Sequence, residues 1–155
     1  MKTLVVYESM FGNTEQIARA IAAAAGAEAV KVDAAAEKLK GVTLLIAGSP
    51  TRAFRPTPGM QNFLKGLAKD SLRGVRVAGF DTRMDVKEVN NAVLTVMEAI
   101  FGYAAKPIAD ALVKKGGTLG APPEGFIVKG SEGPLRGGEL ERAGAWARKL
   151  LEAAK

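Results

Sequence analysis

The segment Val42–Gly48 is apolar at nearly every position. A strand that covers a core with one face alternates apolar and polar residues, whereas a run like this one is expected on a central strand buried on both faces. Burial on both faces calls for a parallel sheet with helices packed above and below it. The flanking sequence supplies them. Thr3–Tyr7 is apolar and β-branched, Glu8–Asn13 is a short loop containing glycine, and Thr14–Ala25 places Ile17, Ala20, Ile21 and Ala24 on one helical face before Gly26 ends it. Glu28–Val32 reads as a second short strand closed by Asp33, and Ala34–Lys40 as a short helix or turn.

Beyond the central strand the alternation continues. Ser49–Pro58 is a loop rich in Pro and Arg, Gly59–Lys69 a helix through Met60, Phe63, Leu64 and Leu67, and Val75–Phe80 a fourth strand. From Val86 the positions Val89, Val93, Val96, Met97 and Ile100 recur at helical spacing, which predicts an amphipathic helix ending at Phe101. Gly102 interrupts it. Pro107 suits the first turn of a new helix that runs out at Lys114-Lys115-Gly116. The last strand is split around Pro122-Pro123 into Gly117–Gly120 and Gly125–Lys129, and Glu139–Ala153 closes the chain as a helix. The order β-α-β-α-β-α-β-α-α-β-α predicts one α/β domain over residues 1–155, a parallel sheet with helices on both faces. No internal repeat, low-complexity tract or linker divides it.

Composition removes much chemistry. Among 155 residues there is no Cys and no His, so disulfides, thiolate nucleophiles, Cys/His zinc sites and a His general base are excluded. A redox role would need a bound organic cofactor. The net charge of +6 leaves open an acidic partner, an anionic substrate or a merely basic surface. Lys and Arg are scattered, without interleaved stacking aromatics, so nucleic-acid binding is not expected. No apolar run reaches the roughly 18 residues of a membrane span, and no signal peptide is seen, so the expected location is cytoplasmic.

The loop Ser9-Met10-Phe11-Gly12-Asn13-Thr14 joins the first strand to the first helix. A helix N-terminus presents unpaired backbone N–H groups and the positive end of the helix dipole. Ser9, Asn13 and Thr14 add short side-chain donors, and Gly12 lets the backbone curl. The loop has no Lys or Arg and matches neither the triphosphate pattern G-x-x-x-x-G-K nor the dinucleotide pattern G-x-G-x-x-G. Such a neutral nest of donors suits a phosphate monoester; the alternative is an ordinary helix cap.

The run Tyr7–Glu15 resembles the phosphate loop of flavodoxins, Gly48-Ser49-Pro50-Thr51 resembles their second flavin loop, and Gly133–Leu135 with Gly138–Ala143 and Trp146-Ala147 resembles the end of bacterial members. The likeness spans the chain except about residues 84–101. It implies a flavodoxin-like three-layer sandwich with a five-stranded parallel sheet of order 2-1-3-4-5, binding flavin mononucleotide (FMN) at the switch point between the first and third strands. That placement of the cofactor is a property of flavodoxins and follows from the resemblance alone. Carried over by position, Ser9, Asn13 and Thr14 with the backbone of Met10, Phe11, Gly12 and Asn13 would hold the phosphate. Pro50, Thr51, Arg52 and Phe54 would line one face of the ring, and Asp81, Thr82 and Arg83 would meet its pyrimidine edge.

Two departures from the family stand out. Flavodoxins usually stack the ring between aromatics, and here the second loop offers only Phe54, with Tyr103 as a candidate for the other face; Trp146 is expected to pack in the core. Many flavodoxins are acidic, whereas this chain is basic, with Arg52, Arg55 and Arg83 on loops expected at the ring. The implied function is an FMN-dependent electron carrier that docks to redox partner proteins, some with acidic surfaces, as a monomer or dimer. The alternatives are a small FMN-dependent NAD(P)H:quinone-type reductase and a flavin-free interaction domain on the same fold. The helix at 86–101 has three candidate uses: a lid, a dimer contact or an enlarged core. A phosphorylation receiver would need an acidic acceptor where Ala47-Gly48-Ser49 stands, and is discarded.

Overall fold

The fold is described from a computed structural model, for residues 1–85, 92 and 102–153. The amphipathic segment at 86–101, with its candidate roles, lies outside the described residues apart from position 92. The strands are β1 (Thr3–Tyr7), β2 (Glu28–Lys31), β3 (Leu44–Pro50), β4 (Arg76–Met84), β5 (Thr118–Leu119) and β6 (Glu124–Val128). The helices are α1 (Asn13–Ala25), α2 (Val32–Ala35), continued by a 3-10 turn, α3 (Pro58–Gly66), α4 (Ala105–Lys114) and α5 (Glu139–Ala153).

The sheet is parallel in the expected order β2-β1-β3-β4-β5. The fifth position is split, as the Pro122-Pro123 pair predicts. β5 pairs with the start of β4, through Arg76 and Val77, and β6 pairs with its end, Phe80–Met84. Two boundaries differ from expectation because pairing extends the strands. β4 does not stop at Phe80 but runs to Met84, since β6 and the end of β3 supply partners on both sides. Asp81, Thr82 and Arg83 therefore stand on a strand rather than on the loop after it. β3 similarly continues through Ser49 and Pro50, opposite Asp81 and Thr82. α3, by contrast, stops at Gly66, short of Lys69, because Leu67 turns to an extended conformation.

Alternation along β1 shows how the two cores arise. Val5 and Tyr7 face one layer and Leu4 and Val6 the other, as the two-residue period of a strand requires. On the first face α1 and α5 cover the sheet, with Ile17, Ile21, Phe80, Phe126, Trp146 and Leu150 buried together. Phe80, Phe126 and Trp146 meet edge to face, with ring centroids 6.1–6.2 Å apart. Trp146 is thus a core residue, as its helical spacing predicts. On the second face α3 and α4 contribute Met60, Leu64, Ile108 and Leu112. Both faces of β3 are covered, and its residues Leu44–Ser49 are buried.

Candidate functional site

The carboxyl ends of β1, β3, β4 and β6 converge on one cavity of about 490 Å³. Its first wall is the loop after β1 and the start of α1: Ser9, Met10, Phe11, Asn13 and Thr14. Gly12 precedes α1 with φ +93°, a left-handed conformation that glycine adopts without strain, and no side chain among the described residues caps the helix. The Gly12 amide is turned away to donate to Ser9 Oγ at 3.1 Å. The first turn of α1 thus opens toward the cavity with its N–H groups uncapped by any of these side chains, which is the arrangement that favours an anion. Met10 and Phe11 are about half exposed, whereas Asn13 and Thr14 are buried.

The two buried side chains are anchored across the fold. Thr14 Oγ1 and Thr82 Oγ1 lie 2.7 Å apart, joining α1 to β4. Asn13 Nδ2 donates to the Glu132 carbonyl at 3.0 Å, joining α1 to the loop after β6. That loop and strand complete the wall with Ser131 and Val128. Neither was expected from the sequence; the Gly-rich stretch Gly130–Gly138 gives no sign that its first residues return to the site.

The opposite wall comes from β3 and the turn after it: Pro50, Thr51, Arg52 and Ala53. Arg52 and Arg55 exchange backbone hydrogen bonds of 2.8 and 2.9 Å, closing a tight turn. Its central residues Ala53 and Phe54 have φ of 48° and 65°, an uncommon left-handed pair for non-glycine residues, which costs on the order of 1–3 kcal/mol each. The turn sends its two ends to different places. Arg52 and Ala53 line the cavity, while Phe54 lines a second groove with Arg55 and Pro56. The expected stacking aromatic of this loop therefore stands outside the cavity here.

The floor is the end of β4, through Thr82, Arg83 and Met84. Asp81, the remaining expected site residue, is fully buried beneath it and does not line the cavity. Its carboxylate holds Arg83 in a two-pronged pair, accepting from Nε and Nη2 at 2.7 Å each, and Oδ2 also accepts from the Ala105 amide at 2.8 Å. Burial pushes the Asp81 carboxyl above its ordinary range, and the Arg83 pair, the Ala105 amide and the Thr51 hydroxyl pull against that rise. Thr51 ties the same corner together, donating its amide to the Thr82 carbonyl at 2.9 Å and accepting from the Ala104 amide at 3.1 Å. On its outer side the Arg83 guanidinium lies 3.7 Å from the centre of the Tyr103 ring. Tyr103 is thus placed under a cation, outside the cavity lining.

Ten of the thirteen expected site residues line this cavity, Gly12 shapes its rim, and Phe54 and Asp81 stand apart from it. Among the described residues no group of carboxylates could hold a metal ion, and no helix is long and apolar enough to cross a membrane.

Comparison with solved structures finds the same architecture at low identity. An archaeal flavodoxin superposes with a TM-score of 0.77 at 20% identity, over 99% of each chain. Oxidised flavodoxin 2 from Bacillus cereus gives 0.76 at 23%, over 98% of this chain and 99% of that one. A short-chain flavodoxin associated with a PDU bacterial microcompartment gives 0.71 at 18%, over the whole of both chains. A search of curated proteins by sequence finds no match. The sequence profile of the family described as "Flavodoxin domain" matches residues 4–117, close to three quarters of the chain, and the protein belongs to that family.

Proposed function

We propose that the cavity binds FMN and that the protein is an electron carrier. The observation that carries this reading is the first turn of α1, uncapped by any described side chain and facing a cavity of about 490 Å³. The donor chemistry fits a phosphate monoester. Backbone N–H groups, the Thr14 and Thr82 hydroxyls and the Asn13 amide surround that end of the cavity, and no carboxylate is among the described residues that line it. Membership of the flavodoxin family supports the same assignment.

When bound, FMN supplies reversible one- and two-electron transfer. The chain contributes binding and electrostatics. The α1 terminus would hold the phosphate, and the turn at Arg52 and Ala53 and the end of β4, with Thr82 and Arg83, would hold the rest of the cofactor. Asp81 neutralises much of the Arg83 charge, so the uncompensated cation on the lining is Arg52, which makes no ion pair among the described residues. A cation there favours the negatively charged reduced form. Carrier function requires no general base, in keeping with a chain that has no His. Its partners are redox proteins, and the net charge of +6 favours acidic docking surfaces.

Visible spectroscopy of the purified protein, with FMN titration into flavin-free material, tests the assignment. Saturable one-to-one binding with flavin absorption bands is expected. Absence of binding would leave the flavin-free interaction domain. Turnover with a nicotinamide cofactor and a quinone separates the reductase from the carrier, and the carrier reading expects none above that of free FMN.

A further inference from the structure

On the opposite side of the strained turn, α3 and α4 flank a second groove of about 590 Å³. Its lining is mostly apolar, with Phe54, Pro56, Leu64, Pro107 and Ala111 beside one neutral polar residue, Gln61, whose amide donates to the Pro56 carbonyl. Among the described residues its charged lining is all cationic: Arg55, Lys65, Lys114 and Lys115. Lys115 is engaged as a cap, its Nζ donating to the Lys65 and Leu67 carbonyls at the end of α3. Lys65 and Lys114 stand exposed at the last turns of α3 and α4. Helix dipoles favour cations at those positions, but they do not account for an apolar trough between them with no carboxylate on its described lining.

We propose that this groove is a second ligand site, for a small organic anion with an apolar body and one acidic head group. Three observations select that class. The volume falls in the range of small-molecule pockets, about 300–1,000 Å³. The apolar lining accommodates a ring or chain. The charges at the rim have one sign, so the head group must be anionic. The site shares no described lining residue with the flavin cavity, and the proposal stands whether or not FMN is the cofactor.

The test uses anilinonaphthalenesulfonate as the anionic probe and N-phenylnaphthylamine, the corresponding ring system without the sulfonate, as the neutral one. Each is titrated into protein with and without saturating FMN, with methyl NMR of the protein following the site. The expected result is saturable binding of the sulfonate that shifts the Leu64 and Ala111 methyls and is the same in both flavin states. Lys65→Gln with Lys114→Gln should weaken the sulfonate about fivefold, less so at high salt, and leave the neutral probe unchanged. Ala111→Phe, which fills the trough from a partly exposed position, should abolish binding of both. Failure of the sulfonate to bind, shifts confined to residues of the flavin cavity, competition by FMN, or full binding by the Ala111→Phe variant would each overturn the proposal. A failure of FMN binding with these results intact would strike the flavin assignment alone.

Discussion

The Arg83 guanidinium lies across the bare face of Gly125: a Cβ at position 125 would sit 2.2 Å from Arg83 Cζ. The two residues are on neighbouring strands, β4 and β6, and the missing side chain is what lets Arg83 fold back onto Asp81. Gly125→Ala should force Arg83 away and strand a buried carboxylate. Breaking such a pair costs up to about 3–5 kcal/mol, which urea denaturation at neutral pH would register. The loss should be much smaller when Asp81→Asn is already present, because no charge is then left without a partner. Equal losses in the two backgrounds would mean that Gly125 matters for packing and not for the ion pair.

The phosphate assignment has its own test. Thr14→Val with Asn13→Ala removes two side-chain donors from the α1 end of the cavity, each worth roughly 1.5–3 kcal/mol toward a charged phosphate. FMN affinity should fall sharply while riboflavin, which lacks the phosphate, is spared. Because Thr14 and Asn13 also bond to Thr82 and to the Glu132 carbonyl, some loss of stability is expected as well. The FMN-to-riboflavin ratio isolates the ligand effect. Equal weakening of both ligands would place the phosphate elsewhere.

Much of this arrangement is legible in the sequence, and the rest is not, for physical reasons. The doubly buried run around Leu44–Ala47 requires a parallel sheet, and Pro122-Pro123 marks the break in its last position. The loop at Ser9–Thr14 reads as a candidate anion site because donors, a glycine and a helix start coincide there, with an ordinary helix cap as the alternative, and the fold places that loop on the cavity wall. Side-chain direction is less accessible. Nothing in Arg52-Ala53-Phe54-Arg55 indicates a turn with two left-handed non-glycine residues, so the swing of Phe54 toward the second groove is hidden. Asp81 is expected at the ring only through the resemblance to flavodoxins, and in the fold it is buried beneath the cavity instead. Its burial depends on Ala105 and Arg83, partners that only the folded chain brings to it. Val128 and Ser131 reach the cavity through the pairing of β6 with the end of β4, a register that a split strand does not specify in advance.

The arginines of the turn should separate when tested one at a time. Arg52 lines the cavity at the carboxyl ends of the strands with no carboxylate partner among the described residues, while Arg55 lines the other groove. Arg52→Gln should lower the flavin midpoint potential by an amount on the order of tens of millivolts, since about 1.4 kcal/mol corresponds to 59 mV per electron. Arg55→Gln should leave the potential unchanged. Both should slow association with an acidic partner at low salt if the turn forms part of the docking surface. Equal potential shifts from the two variants would show that long-range charge, not position on the cavity wall, sets the effect.

Glu139 offers a pH-dependent test of how the β6 wall is held. It opens α5 and is buried, with Oε2 accepting from the Ile127 amide at 2.6 Å and from Arg142 Nη2 at 2.8 Å, and Oε1 accepting from Arg142 Nε at 3.1 Å. Arg142 reaches on to the Gly125 carbonyl and to Glu124, so the pair fastens α5 to the strand that carries Val128. Burial acts to raise the Glu139 carboxyl, but the Arg142 guanidinium and the Ile127 amide more than offset it, leaving it below its ordinary value of 4.5. A carboxyl depressed by folding stabilises the native state above its unfolded value, and that contribution disappears as the pH falls through the lower, folded value. Glu139→Gln should therefore cost about 1–3 kcal/mol at neutral pH. The difference between variant and parent should begin to shrink below about pH 4.5, where the carboxyl of the unfolded parent takes up a proton, and should vanish once the pH has fallen through the lower value of the folded carboxyl. Urea denaturation at neutral and acid pH measures both. A difference that persisted unchanged into acid would assign the loss to the shape of the side chain and not to its charge.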